Sequence, residues 1–288
     1  MAIDQQLFAP PTKLQRIVRK SAEITLARLG VGRAFAAIPL FRRLYTKRIL
    51  ERRDHTGLYS GVYRTYAEAL ADVPPNRLVG WDHEESAKLW LHQIDPVRLS
   101  TYPVFFWLQR LVTDGSALVD VGGSIGSTYY GYRRYATFPS SATWTVVEMP
   151  KIAEQGVAVA RRQEASHLRF LHELAQVQHC DFLLAAGALQ YMEHAIPGLL
   201  EALPAKPRYL LLNKLPITHQ GSCWTLQNYG PAITPQQLFN ESDFLAYFDR
   251  HGYRLRDRWA VDDLDCLIPF HPERFIKQFS GFLFELGG

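Results

Sequence analysis

The run Asp120-Val121-Gly122-Gly123-Ser124-Ile125-Gly126 places a carboxylate at the head of a glycine-rich turn, and a second carboxylate, Glu148, follows twenty-two residues after Gly126. Glycines in such a turn let the backbone approach a ligand that a Cβ would obstruct. An acid about 20 residues further on, at the end of the next strand, accepts ribose hydroxyls in nucleotide-binding α/β folds. A dinucleotide fingerprint needs Gly-x-Gly-x-x-Gly; ending it on Gly126 puts Val121 where its first glycine belongs. The run reads instead as Asp-x-Gly-x-x-x-Gly, a turn whose acid suits a cationic group and whose backbone N–H groups suit a carboxylate. A plain structural glycine turn is the competing reading.

Further candidates follow the later strands. Ala186-Gly187-Ala188-Leu189-Gln190-Tyr191-Met192-Glu193-His194 offers small residues for close approach of a ligand. Gln190, Tyr191 and His194 then stand as contacts for a second substrate, against a packed Tyr191 and a solvated His194. His219, on the loop after Asn213-Lys214-Leu215-Pro216-Ile217-Thr218, titrates near neutrality and is the first choice of general base, with an exposed loop histidine as the alternative. Gln227 and Tyr229 are further substrate contacts, unless they make structural hydrogen bonds. His172 and Glu173 follow the third strand, where an adenine lies in such folds; Met149, directly after Glu148, completes that side. His172 to Gln176 misses the zinc-protease pattern because Gln176 stands in place of the second histidine. Asp262, Asp263 and Asp265 read as a solvated loop in preference to a Mg²⁺ site, and no metal is expected. Nothing in the sequence near Cys223 lowers its pKa.

The elements that must position these residues are legible from residue 114 onward. Short apolar runs, Ala117–Val121, Trp144–Glu148, Leu168–Leu171, Asp181–Ala186 and Tyr209–Asn213, read as strands. Between and after them, helices are expected at Lys151–Arg162 and Phe244–His251, the second closed by Gly252 as its C′ residue. Arg254–Val261 and Phe279–Leu286 read as two last strands. Continuous apolar strands separated by helices argue for a parallel sheet covered on both faces, an α/β, doubly wound architecture. Upstream, residues 1 to about 56 read as basic and helical, with an amphipathic stretch at Leu14–Leu29. Thr56–Tyr63 reads as turn-rich, Tyr66–Ala71 as a helix, and Trp81–Trp107 as a mixed aromatic segment, mostly core. The expected division is a basic helical extension and cap over 1–113 and a Rossmann-like domain over 114–288.

The glycine turn resembles the first motif of class I S-adenosylmethionine-dependent methyltransferases, Asp/Glu-x-Gly-x-Gly-x-Gly; Asp120, Gly122 and Gly126 match and Ser124 replaces the middle glycine. The segments Gly61-Val62-Tyr63, Tyr102–Leu108, Leu189-Gln190-Tyr191 and His271-Pro272-Glu273 to Gly281-Phe282 resemble one bacterial family of such enzymes. It is associated with surface-polysaccharide or small-molecule biosynthesis, and the resemblance spans about residues 57–285. The resemblance implies a mostly parallel sheet with an antiparallel last strand, and S-adenosyl-L-methionine as cofactor with S-adenosyl-L-homocysteine as product. Asp120, Gly122, Gly123, Ser124 and Gly126 would hold the methionine part, Glu148 the ribose, Met149, His172 and Glu173 the adenine side, and Ala186 and Gly187 would line the cofactor. The expected reaction is O-methylation of a small-molecule or saccharide acceptor, with His219 or Tyr191 positioning or deprotonating it. A catalytically degenerate scaffold and a nicotinamide-dependent oxidoreductase are the alternatives.

Composition bounds these readings. The 288 residues are 47 % hydrophobic and 21 % charged, ordinary for a globular chain. The formal charge is +4, too small to imply nucleic acid by itself. From Lys13 to Arg53 twelve basic residues face only Glu23 and Glu51, so that segment carries +10 and the remainder −6. A solvated helical face, a patch steering an anionic or carrier-bound substrate, and contact with an anionic membrane compete for it. Basic and aromatic residues are separated, not interleaved, which argues against nucleic-acid binding. Three scattered cysteines exclude a disulfide framework, and no run reaches the roughly 20 apolar residues of a membrane span. A cytoplasmic, soluble protein, with homodimerisation open, is the expectation.

Overall fold

A computed structural model describes residues 39–53, 57–83 and 97–287. The stretch Leu14–Leu29, most of the basic segment, and Trp90 lie outside the described residues. The chain forms two compact units interleaved along the sequence, whereas the division expected from sequence falls at residue 113. The smaller unit contains the described residues up to Gly80 with Cys223–Gln236 and Cys266–Phe275; the larger contains Trp81–Ser222, Gln237–Asp265 and Ile276 onward.

The larger unit is a seven-stranded sheet. Its strands are β3 (Ala117–Val121), β4 (Thr143–Val147), β5 (Leu168–Leu171), β6 (Phe182–Ala186), β7 (Tyr209–Leu215), β11 (Tyr253–Val261) and β12 (Phe279–Leu286), in the order β11-β12-β7-β6-β3-β4-β5. Pairing is parallel from β5 through β7, while β12 runs antiparallel to both β7 and β11. This is the Rossmann-like, mostly parallel sheet with an antiparallel last strand that the resemblance implies. Its strand order reverses at β3, which has β4 on one side and β6 on the other, so the ligand crevice of such a sheet falls beyond the carboxyl ends of β3 and β6.

Alternation along the strands divides the core into two layers, as a sheet covered on both faces requires. Leu118, Trp144, Val146, Leu184, Leu211 and Leu283 face one layer, beneath helices α3 (Tyr102–Leu111), α4 (Ser127–Arg133) and α5 (Pro150–Arg162). Val119, Val121, Leu183, Leu210, Leu212, Phe282 and Phe284 face the other, beneath α6 (Ala195–Glu201) and α7 (Glu241–Arg250). Helix α7 starts at Asn240, whose side chain accepts from Asp243 N, and ends with Gly252 at φ 88°. In the aromatic segment Tyr102–Leu111 is an amphipathic helix that buries Val104, Phe105 and Leu108.

The smaller unit holds helices α1 (Pro39–Glu51) and α2 (Tyr66–Ala71) and a sheet of β1 (Leu58–Tyr63), β9 (Cys223–Asn228), β10 (Ala232–Asn240, through Gln236) and β2 (Leu78–Val79), in the order β1-β9-β10-β2. In the larger unit the two-residue strand β8 (Ile217–Thr218) pairs in parallel with the end of β10 at Phe239 and Asn240. Leu58–Tyr63, within the stretch expected as turn, forms β1; its antiparallel partner β9 lies more than 160 residues away, a pairing no local pattern reports. Leu50, Ala69, Trp224, Leu226 and Ile233 form the core of the smaller unit. Two buried polar side chains close the end of α1. Arg77 donates to the carbonyls of Glu51, Arg52 and Gly230 and to Asn228 Oδ1, and Asn228 Nδ2 donates to the carbonyls of Ile49 and Arg52. A guanidinium against the last carbonyls of a helix meets both their unsatisfied acceptors and the helix dipole.

Candidate functional site

Strand alternation puts Asp120 on the same face as Leu118, where a hydrophobe belongs, so its carboxyl is fully buried beneath the aromatic layer of Tyr129 and Trp144. Trp144 Nε1 donates to Oδ2 at 3.2 Å, and Oδ1 has no partner. Burial pushes the carboxyl up to about 7, the charge of Glu148 adds to this, and the Trp144 hydrogen bond and Lys214 oppose it. The glycine turn closes over this group. A Cβ on Gly123 would stand 2.5 Å from the Asp120 carboxyl, and one on Gly122 would stand 2.2 Å from Ala188 Cβ. The turns after β3 and after β6 therefore touch through a position that admits no side chain. Ser124, which replaces the middle glycine, nonetheless adopts φ 56°, a left-handed conformation unfavourable for a residue with a Cβ.

Glu148, at the end of β4, clasps the turn from the other side. Its Oε2 accepts from Ser124 N and its Oε1 from Met149 N, both at 2.9 Å. A carboxylate has about four lone-pair sites, so about two remain for other donors. Burial raises the Glu148 pKa against these two hydrogen bonds, and Asp82 raises it further.

Among the described residues, several buried polar atoms without partners lie on the turn, the helix it opens and the segment after β6. Besides Asp120 Oδ1 they are Ser124 Oγ, Ser127 Oγ, Tyr130 OH and Gln190 Oε1. Such atoms are rare in folded proteins and each calls for a partner. Donors and acceptors in this pattern fit a polar ligand carrying ammonium, carboxylate and hydroxyl groups.

The remaining expected residues are distributed as follows. Ala186 ends β6 and Gly187 follows it beside the turn, at φ 105°. Gln190 is buried, and Tyr191 packs edge-on against Trp81 with ring centroids 5.4 Å apart. His194 precedes α6 and is exposed. His172 and Glu173 are exposed, and the Glu173 side chain caps the turn that follows. His219 is exposed and pairs through Nδ1 with Glu241 Oε2 at 3.2 Å, while the other Glu241 oxygen binds Arg258. Gln227 and Tyr229 belong to the smaller unit; Gln227 bonds to Tyr59, and the buried Tyr229 donates to Gly80 O.

Two further charged residues stand near the crevice that the sequence reading did not place there. Lys214 is half-buried at the carboxyl end of β7, its stem lying against Gly187. Asp263, expected on a solvated loop, is half-buried and accepts from Ser100 Oγ at 3.1 Å. The Cys223 thiol is raised by burial despite Arg274, and all three cysteines are buried and free. Among the described residues no group of His, Cys, Asp or Glu is arranged to hold a metal, and no helix is long and apolar enough to cross a membrane. A depression of the larger unit, lined by Trp107, Leu111, Tyr209, Leu255, Arg256, Leu283 and Glu285, lies at the opposite end of the sheet, where β7 begins and β12 ends.

No known family model matches the chain, and no curated protein matches it in sequence. Among solved structures it is similar to magnesium protoporphyrin IX methyltransferase from Synechocystis PCC 6803 with bound SAH, at 14 % identity over 72 % of this chain and 90 % of that one, TM-score 0.47. It is also similar to 1,6-didemethyltoxoflavin-N1-methyltransferase from Burkholderia thailandensis, at 13 % identity over 71 % and 83 %, TM-score 0.47. A third similar structure is a mitomycin 7-O-methyltransferase, at 15 % identity over 72 % and 59 %, TM-score 0.43. At these identities the function of the chain rests on its own site.

Proposed function

We propose that the chain is a cytoplasmic S-adenosylmethionine-dependent methyltransferase acting on a small-molecule or saccharide acceptor, with oxygen as the methylated atom. The observation that carries this reading is the gathering of unpartnered buried polar atoms on Asp120, Ser124, Ser127, Tyr130 and Gln190 around a switch-point turn that Glu148 clasps. Bound there, the cofactor supplies a methyl group on a positively charged sulfur, ready for in-line displacement.

In this reading Asp120 sets a negative field beneath the methionine part, and Gly122, Gly123, Ser124 and Gly126 form its cradle. The spare lone pairs of Glu148 accept two ribose hydroxyls. Met149, His172 and Glu173 border the adenine, and Ala186 and Gly187 leave room beside the sulfur. Gln190 and Tyr191 orient the acceptor, with His194 as a more distant contact. Holding two reactants in attack geometry can itself supply much of the barrier reduction.

Calorimetric titration with S-adenosylhomocysteine, with NADH as control, tests the cofactor. Hydrogen bonds to a charged group contribute about 1.5–3 kcal/mol each, so Glu148→Gln should weaken S-adenosylhomocysteine binding at least about tenfold, with a thermal melt confirming the variant is folded. Unchanged affinity would remove Glu148 from the site, and tight NADH binding would favour the oxidoreductase.

A further inference from the structure

Strand β7 departs from regular pairing at one place, and that place faces the crevice. Leu212 pairs with Phe282 and Leu215 with Ser280, so Asn213 and Lys214 together oppose the single residue Gly281. Leu212 and Leu215 both face the α6–α7 layer although they stand three positions apart, an odd spacing that regular alternation would send to opposite faces. The extra residue shifts the alternation, which is the effect of a β-bulge, and bulges re-aim side chains beside active sites. Lys214 takes φ 60°, a strained conformation for a residue with a Cβ.

Neighbouring residues hold the bulge in place. Gly281 bears no side chain where a Cβ would stand 2.1 Å from the Trp259 indole. Trp259 Nε1 donates to the Oδ1 of the buried Asn213, and Asn213 Nδ2 donates to Ser100 O, both at 2.9 Å. Ser100 Oγ in turn donates to Asp263. The Lys214 side chain lies against Gly187, and among the described residues Asp120, Asp263 and Arg98 are the charged groups that act on its ammonium. Loss of water, reinforced by the Arg98 charge and opposed by Asp263 and Asp120, brings the ammonium down to about 8.

We propose that Lys214, turned by this bulge into the space beside Gly187, is the general base that takes the proton of the acceptor hydroxyl. This rests on the methyl-transfer reading and differs from the expectation for His219, whose Nδ1 faces Glu241 on an exposed loop. In the step, the uncharged Nζ lone pair takes the hydroxyl proton and the acceptor oxygen bonds to the methyl carbon. The electron pair of the broken carbon–sulfur bond stays on sulfur, whose positive charge is lost as Lys214 gains one.

Competitive labelling of the wild-type protein with trace acetic anhydride, resolved lysine by lysine by peptide mass spectrometry between pH 6 and 11, tests the assignment without knowledge of the acceptor. Lys214 should titrate near 8, against about 10.4 for a free lysine. It should titrate lower by about half a unit or more with S-adenosylmethionine bound than with S-adenosylhomocysteine, because a neighbouring positive sulfur disfavours the ammonium and a neutral thioether does not. Titration near 10, absence of labelling throughout, or identical curves in the two complexes would overturn the proposal while leaving the cofactor site standing. Failure of S-adenosylhomocysteine to bind in the calorimeter would overturn both.

Discussion

A carboxyl group with no exposed surface is out of place in a sheet core, and Asp120 occupies such a position with only one indole N–H against one of its oxygens. Its pKa in the fold, about 7, stands above the unfolded 3.8. Between those values the folded protein holds a proton that the unfolded chain has released, so stability falls as pH rises through this window and the deficit is complete above about 7. Asp120→Asn, which keeps an oxygen for Trp144 and cannot ionise, should therefore melt close to the wild type near pH 4 and several degrees above it at pH 8, read by differential scanning calorimetry. The same offset at both pH values would show that Asp120 does not titrate in this window. A group that destabilises the fold at working pH is the kind retained for binding or catalysis.

Elements place these residues through pairing more than through propensity. Strands β3, β4, β6 and β7 are apolar runs visible in the sequence, but the bulge that turns Lys214 depends on β12 meeting β7 with one residue fewer. Gly281→Ala tests this directly. A Cβ there collides with the Trp259 indole, so Trp259 must move and its bond to Asn213 must open. The expected loss is about 1–3 kcal/mol in urea denaturation, with a change in tryptophan fluorescence. A variant with wild-type stability and emission would show that the bulge does not need Trp259.

Two compact units share this chain, and each closes its core with segments distant in sequence. In the smaller, Arg77 ties the end of α1 to the β9–β10 turn through the carbonyls of Glu51, Arg52 and Gly230 and the side chain of Asn228. Arg77→Ala would leave several buried acceptors without donors, each worth about 1–3 kcal/mol. Amide hydrogen exchange should then rise at least about tenfold across β1, β9 and the start of β10, with β3, β6 and β7 keeping their protection. Equal acceleration in both units would show that they open as one cooperative body.

The glycine turn, Glu148 and the parallel strands were readable because each is a local signal: a motif of seven residues, an acid at a fixed offset, a continuous apolar run between turns. Helix α7 and its closing Gly252 were readable for the same reason, since capping is chemistry among neighbours. The site's second half was not. Lys214 is an ordinary lysine after a strand until Trp259 and Gly281, 45 and 67 residues further on, impose a bulge with its neighbour Asn213. Asp263 is a loop acid until Ser100 reaches it, and Leu58–Tyr63 reads as turn until β9 pairs with it. Side-chain type and short-range spacing are written along the chain. Register, burial and the charges that surround a group arise only when distant segments meet, and these decide which titratable groups lose their water and face the crevice.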